Sequence, residues 1–403
     1  MAPKLTILLF FFIFFTIALF TPTKAAFNVV DFGAKPGGQT DSAKAFLAAW
    51  AAACASPAPA TVFVPKGRYL LNKVVFNGPC KSPSIKIQLQ GTLVAPSYSV
   101  IGTADQWIKF YRIDNLSVFG GTLDGQGSKL WACKLAGRSC PDGAATLVFS
   151  GMNNLLISGL TSLNSELAHI VINGCNGVTM RGVKVIAAEN SPNTDGLHVQ
   201  MSTAVTITKA TLKTGDDCIS IGPGMNGLWV EDVFCGPGHG ISGSEFLTRW
   251  CDYDSIGSLG KDMQEPGVQN VTVTGATFSG TQNGVRIKTW GRPSLGFVKG
   301  VRFEHIMMRN VQNPIVITQN YCPTQKNCPG QNSGVKISDV TYNDVQGTSA
   351  TPVAVNFDCS PSNPCRGIKL HNIKLTYNNK QAQSSCTHAV GTTAGFVVPE
   401  SCL

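Results

Sequence analysis

"AVTITKATLKTGDDCISIGPGMNGLWVEDV", residues 204–233, decides the fold. It opens on an apolar/polar alternation and turns. It then runs through a short apolar segment behind two adjacent aspartates, turns again, and restarts the alternation at "GLWVEDV" (227–233). Alternation of this kind is a strand with one buried face. The same segment recurs as "NLLISGL" (154–160), "GVTMRGV" (177–183), "NVTVTGA" (270–276), "GVRFEHI" (300–306), "GVKISDV" (334–340) and "GIKLHNI" (367–373). "NLSVFGG" (115–121) is an earlier, degenerate copy. The fourth positions are Ile157, Met180, Ile207, Val230, Val273, Phe303, Ile337 and Leu370, at steps of 23, 27, 23, 43, 30, 34 and 33 residues. No helix-length amphipathic run separates them. Strands returning at such intervals without helices predict an all-β solenoid, a right-handed parallel β-helix, in which each coil stacks on the last. A propeller needs longer, regular repeats, and an antiparallel sandwich is the other rival. "DSAKAFLAAWAAACA" (41–55) is the one good helical pattern, with Asp41 able to cap it. A short N-terminal helix there would shield the open end of the coil from edge pairing.

The ends and totals bound the setting. Residues 1–26 read as a secretory signal peptide: Lys4, an apolar run from Leu5 to Phe20, then Ala25 and Ala26. The run is shorter than the roughly 20 residues a membrane span prefers. No later segment is apolar enough to span, so the mature chain, 27–403, is expected to be a single secreted domain in the cell wall. The formal charge of +9 falls to +7 once Lys4 and Lys24 are removed. No basic cluster with interleaved aromatics suggests nucleic acid. A mild positive excess suits an acidic polysaccharide. All 14 cysteines follow the signal segment, and export favours disulfides. The short spacings Cys133/Cys140, Cys322/Cys328 and Cys359/Cys365 predict local loops. No CxxC pair occurs, so zinc is not expected. Asn115 and Asn270 begin sequons open to glycosylation.

A solenoid turns sequence period into proximity. Asp195 in "NSPNTDGLHV" lies one coil before Asp216 and Asp217, and His239 in "CGPGHGIS" one coil after. Each precedes a short strand, so the four should share one face. Arg286 and Lys288 in "GVRIKTW" alternate along a strand and can face the same groove. Tyr321 follows one coil later. Crowding three carboxylates raises at least one pKa. A protonated aspartate can then donate to a leaving oxygen while ionised neighbours take a proton from water, which is glycoside hydrolysis with inversion. Arg286 and Lys288 would bind the carboxylate of a uronic acid. A calcium site, as in a lyase, competes for the carboxylates, but a histidine and two cations beside them disfavour a divalent ion. No metal and no cofactor are expected.

From "AFNVVDFGAK" near residue 26 to "PESCL", the chain resembles plant polygalacturonases of glycoside hydrolase family 28, especially the pollen exopolygalacturonase group. "NTD" (193–195), "GDDC" (215–218), "GHG" (238–240) and "RIK" (286–288) carry the resemblance. It implies a right-handed parallel β-helix and inverting hydrolysis of α-1,4 bonds in demethylated homogalacturonan, exo-acting from the non-reducing end, by a monomer. By the same resemblance Asp216 is the general acid, Asp195 and Asp217 activate water, and His239 keeps the acid protonated. Arg286, Lys288, Tyr321, Asn193 and His169 are substrate-binding positions on that pattern. No motif distinguishes exo from endo action.

One departure stands out. "GSEFLTRWCDYDS", residues 243–255, separates "GHGIS" from "IGSLG". Removing these thirteen residues turns the 43-residue step into 30, matching the next step. The segment either loops away, since loop length costs little entropy, or interrupts the strand after His239 and moves that residue. The second outcome would leave a pectin-binding wall protein with impaired catalysis. The segment also carries Cys251. Without it thirteen cysteines remain and one is free, with Cys175 in an apolar strand the candidate.

Overall fold

The computed structural model describes residues 25–243, 259–322 and 328–403. Its strands form two long sheets, one of 22 strands and one of 11. Every pairing is parallel except a hairpin near the C-terminus, Thr376 with Gln381. The architecture is a parallel β-helix with the right-handed connections that parallel strands favour.

The predicted ladder sits inside the larger sheet. Val118, Ile157, Met180, Ile207, Val230, Val273 and Phe303 pair in unbroken register. Met180, Ile207, Val230 and Val273 are each 0% exposed, so each side chain touches the coils above and below. Burying one such side chain is worth about 1.5–3 kcal/mol. The next rung differs from expectation. Phe303 pairs with Tyr342, which pairs with Leu370, whereas Ile337 pairs with Val298. The strand Lys336–Ser349 buries Ile337, Val340, Tyr342 and Val345, so its alternation changes phase at Asp339, which takes the left-handed place (φ 54°) that Gly300 (φ 65°) holds one coil earlier; "DVTY" and not "GVKI" therefore continues the ladder. Aromatic stacking of Phe303 on Tyr342, with centroids 5.2 Å apart, accompanies the observed choice.

The helix Ala43–Ala55 covers the N-terminal end as expected. Its N-cap is Ser42, and Asp41, one residue earlier, accepts a hydrogen bond from the Ala43 amide at 3.0 Å. Its buried Trp50 packs against Phe76 and Phe110, which continue as a stack to Phe149. Residues 1–24 lie outside the described residues. The first strand already begins at Ala25, paired with Ala60, so a boundary after Ala26 falls inside a paired strand.

Among the described residues six disulfides form, including the three short loops Cys133–Cys140, Cys322–Cys328 and Cys359–Cys365. The others are Cys54–Cys80, Cys218–Cys235 and Cys386–Cys402. Cys175 is free and buried, while Cys251 lies outside the described residues. Both sequon asparagines are exposed, but their side-chain amides are in use. Asn115 donates to the Pro83 carbonyl and Asn270 to Asn226.

Candidate active site

The 11-stranded sheet positions the polar residues. Leu197, Ile219, Ile241 and Val285 stand in one cross-strand row. Asp195, Asp217 and His239 each lie two residues before a member of that row, so coil stacking brings them side by side. Backbone bonds lock the alignment. The Gly196 amide donates to the Asp217 carbonyl at 2.9 Å, and the Cys218 amide to the Gly240 carbonyl at 2.8 Å. The Cys218–Cys235 disulfide ties the segment after Asp217 to the strand Phe234–Cys235 of the larger sheet. Glycine is required beside the functional groups. A Cβ on Gly215 would come within 2.1 Å of the Ser191 carbonyl oxygen, and one on Gly240 within 2.2 Å of the Asn283 carbonyl oxygen.

The three carboxylates are not equivalent. Asp195 and Asp217 are 6% and 1% exposed, forming the floor, whereas the Asp216 side chain is 22% exposed and reaches the open side. Asp217 accepts from Lys288 Nζ at 2.9 Å and from the Arg286 guanidinium at 3.4 Å. Asp216 Oδ1 accepts from the Asp217 amide at 2.8 Å and shares a hydrogen bond with His239 Nδ1 at 3.0 Å. The adjacent aspartates are thus compensated from outside their own segment: two cations arrive from a strand about 70 residues later and an imidazole from the next coil.

Protonation is divided accordingly. Burial, reinforced by Asp216 and Asp217, pushes Asp195 well above the usual carboxylate range. Burial works the same way on Asp216, but the His239 hydrogen bond and charge, with Lys288, outweigh it and hold Asp216 low. Burial opposes charging of His239, and Asp216 overcomes it, so the imidazole is raised. Within the shared bond, charge separation favours the proton on His239, and Asp195, raised chiefly by burial, is the carboxyl most inclined to hold a proton.

The remaining positions fall into place unevenly. Tyr321 lies under both cations, 5.0 Å from Lys288 Nζ and 5.9 Å from the Arg286 guanidinium carbon, edge-on to Trp290. Asn193 is exposed at the rim in a left-handed conformation, φ 57°. His169, expected as a groove position, lies deeper than the other predicted residues. It is 0% exposed, its Nδ1 meets Ser162 Oγ at 2.8 Å, and burial lowers its pKa to about 3. It lies beneath the surface, with its amide bonded to the Asp195 carbonyl.

Three supports escaped the sequence reading. Ser220 hydrogen-bonds the Asp195 carboxyl and lies 2.9 Å from His198 Nδ1. His198 Nε2 is tied in turn to Gln200 at 2.9 Å. Asn283 donates to the His239 carbonyl at 3.1 Å. Their only signal was register: "GLHVQ" and "CISI" read as ordinary strands until stacked.

The strand after His239 is paired on both sides as far as Gly243. Ser242 and Gly243 pair with Ser220 and Ile221 on one side and with Arg286 and Ile287 on the other. The rest of the inserted segment, 244–255, lies outside the described residues.

Asp216, Asp217 and His239 also offer ligand atoms within 4.8 Å of one another. The donor set does not fit a resident cation. Both Asp217 oxygens are already held by Lys288 and Arg286, which would repel one.

The sequence matches glycosyl hydrolases family 28 over residues 54–396. The chain belongs to glycosyl hydrolase family 28. As a member of that family it is a glycoside hydrolase. This family 28 chain is 60% identical over 379 residues to a polygalacturonase of Prunus persica, covering 94% of this chain and 93% of that one. It is 42% identical over 380 residues to an exopolygalacturonase of Platanus acerifolia, covering 93% and 97%. In fold it is similar to an endo-xylogalacturonan hydrolase from Aspergillus tubingensis, with TM-score 0.72 at 23% identity over 92% of this chain and 100% of that one.

Proposed function

We propose that this chain is a secreted, wall-located polygalacturonase that hydrolyses α-1,4 bonds of demethylated homogalacturonan with inversion. The observation that carries the reading is the difference in depth among the carboxylates. Asp216 alone reaches the open side, so it meets the glycosidic oxygen and delivers the proton that it shares with His239. Asp195 and Asp217 are too deep to touch a sugar ring and instead hold the attacking water. Asp217, paired with two cations, takes the proton of that water as its oxygen bonds to the anomeric carbon, while the Asp195 carboxyl holds the water in place. Arg286, beside Asp217 at the groove wall, and Lys288 below it supply positive charge for a uronate carboxylate. Tyr321 and Asn193 frame the same subsite.

Inversion is a reading from depth, not from spacing. Ligand atoms of Asp216 and Asp217 lie within 4.8 Å, closer than the about 6.5–9.5 Å usual for an inverting pair. A buried Asp217 held by two cations makes a poor nucleophile, which leaves water to attack. Exo action is supported by the resemblance to pollen enzymes and by the exopolygalacturonase relative. Endo action is the second reading. The strand behind Asp217 is the sixth of eleven, so the sheet runs on in both directions.

The test is reducing-sugar release from polygalacturonic acid by this chain. The configuration of the first product, read by proton NMR, decides inversion. Early monomer with slow viscosity loss means exo action, and early oligomers mean endo action. Binding of the polymer without sugar release would reject the enzyme reading in favour of a wall-binding protein.

A further inference from the structure

The groove floor carries a second station built like the one around Tyr321. Lys109 Nζ lies 5.2 Å, and the Arg112 guanidinium carbon 4.9 Å, from the ring of Tyr111. The neighbours Ile108 and Phe110 are buried in the core, so Lys109 and Tyr111 face outward from the same sheet that bears the catalytic residues. The register makes the relation explicit. Lys109 shares a cross-strand row with His198, Ser220 and Arg286, four strands before Ser220 and six before Arg286. At about 4.8 Å per strand, the two stations are roughly 29 Å apart, with the carboxylates between them. Between Tyr111 and the site the parallel row holds Ser150, Asn173 and Gln200, all half-buried polar side chains. Neither Lys109 nor Arg112 has an ion-pair partner among the described residues, unlike Arg286 and Lys288, which hold Asp217.

We infer that Lys109, Tyr111 and Arg112 form a distal subsite that binds a uronate carboxylate of the same polymer, on the far side of the cleavage point from Arg286 and Lys288. The inference rests on the polyuronide reading of the site. Two unpartnered cations beside an aromatic face suit an anionic sugar, whose carboxylate takes the charge and whose ring lies on the tyrosine. The polar row is the track along which the chain reaches them. Trigalacturonate, bound at the catalytic centre, is too short to gain from the station, whereas a long polymer engages it.

The experiment compares the wild-type chain with the double variant Lys109→Gln/Arg112→Gln. It measures hydrolysis and equilibrium binding for trigalacturonate and for long polygalacturonate. The expected result is a fall of about tenfold in kcat/KM on the polymer, with kcat at saturation and all constants for trigalacturonate within about twofold. The gap should shrink at high salt, as screening weakens exposed charges. Equal losses on both lengths, or no loss on either, would overturn the subsite. If the wild type binds polymer through these cations but releases no sugar, the hydrolase reading fails and the station is upheld. If it releases sugar and is indifferent to both substitutions, the station fails and the hydrolase reading is upheld. If it neither binds nor cleaves, both fail.

Discussion

Lys288 Nζ sits 2.9 Å from Asp217 Oδ2, and both side chains are almost sealed from water, at 6% and 1% exposure. A lone carboxylate at that depth would be costly, so the pair is a condition for keeping a charged Asp217 in the floor. Removing one partner is therefore worse than removing both. Lys288→Met is expected to destabilise the fold by about 3–5 kcal/mol, less whatever Arg286 recovers. Adding Asp217→Asn to it should restore much of the loss. Urea unfolding of the two variants decides it, and equal stability of single and double variants would show that the charge was not the issue.

Asp216→Asn removes the proton donor without changing shape. Folding should be intact, and hydrolysis of polygalacturonate should fall by about 10²–10⁴-fold, the range for a general acid. A melt matching wild type, together with appreciable residual turnover, would remove the acid role from Asp216.

Asp195 makes a pH-dependent prediction. Its folded pKa is raised, chiefly by burial, so the folded state prefers the neutral form. Below the unfolded pKa both states are protonated and the side chain costs nothing. As pH rises the unfolded chain ionises first, and the folded state loses relative stability until its own pKa is passed. Asp195→Asn should therefore be more stable than wild type at neutral pH, with the difference vanishing in acid. Denaturation across pH 3–8 reads it directly, and a difference that grows toward acid would reverse the sign.

The Asp216–His239 bond adds a window of its own. Asp216 is held low and His239 is raised, each by the other after burial is offset. The contribution from Asp216 is lost as pH falls through its folded pKa, and that from His239 as pH rises through its folded pKa. His239→Ala should lower stability most between those two limits and little outside them. A loss independent of pH would mean that His239 acts by packing alone.

Deletion of residues 244–255 should leave catalysis within about threefold, because Ser242 and Gly243 are paired on both sides. A loss of a hundredfold or more in kcat/KM, the scale of a misplacement of about 1 Å, would show that the segment helps hold His239.

Much of this molecule is written in one dimension. Alternation at Val205, Ile207 and their repeats specifies a strand and its buried face, and the return interval specifies stacking, because a coil can bury that face only against its neighbours. The same logic gathered Asp195, Asp217 and His239 before any coordinates. Register is weaker information: an aspartate, Asp339, takes the left-handed position that Gly300 holds one coil earlier, so the glycine of "GVKI" points to Ile337 where Tyr342 is the true partner of Phe303. Depth is not encoded at all. That His169 is sealed beneath the floor, that Asp216 is the carboxylate that reaches outward, and that Asp195 and His239 are raised while Asp216 is held low depend on which side chains crowd each group in three dimensions. Burial and local field set those properties, and both arise from residues distant in the chain. Sequence thus determined the coil and the membership of the cleft, while tertiary structure decided the depth, partner and charge of each member.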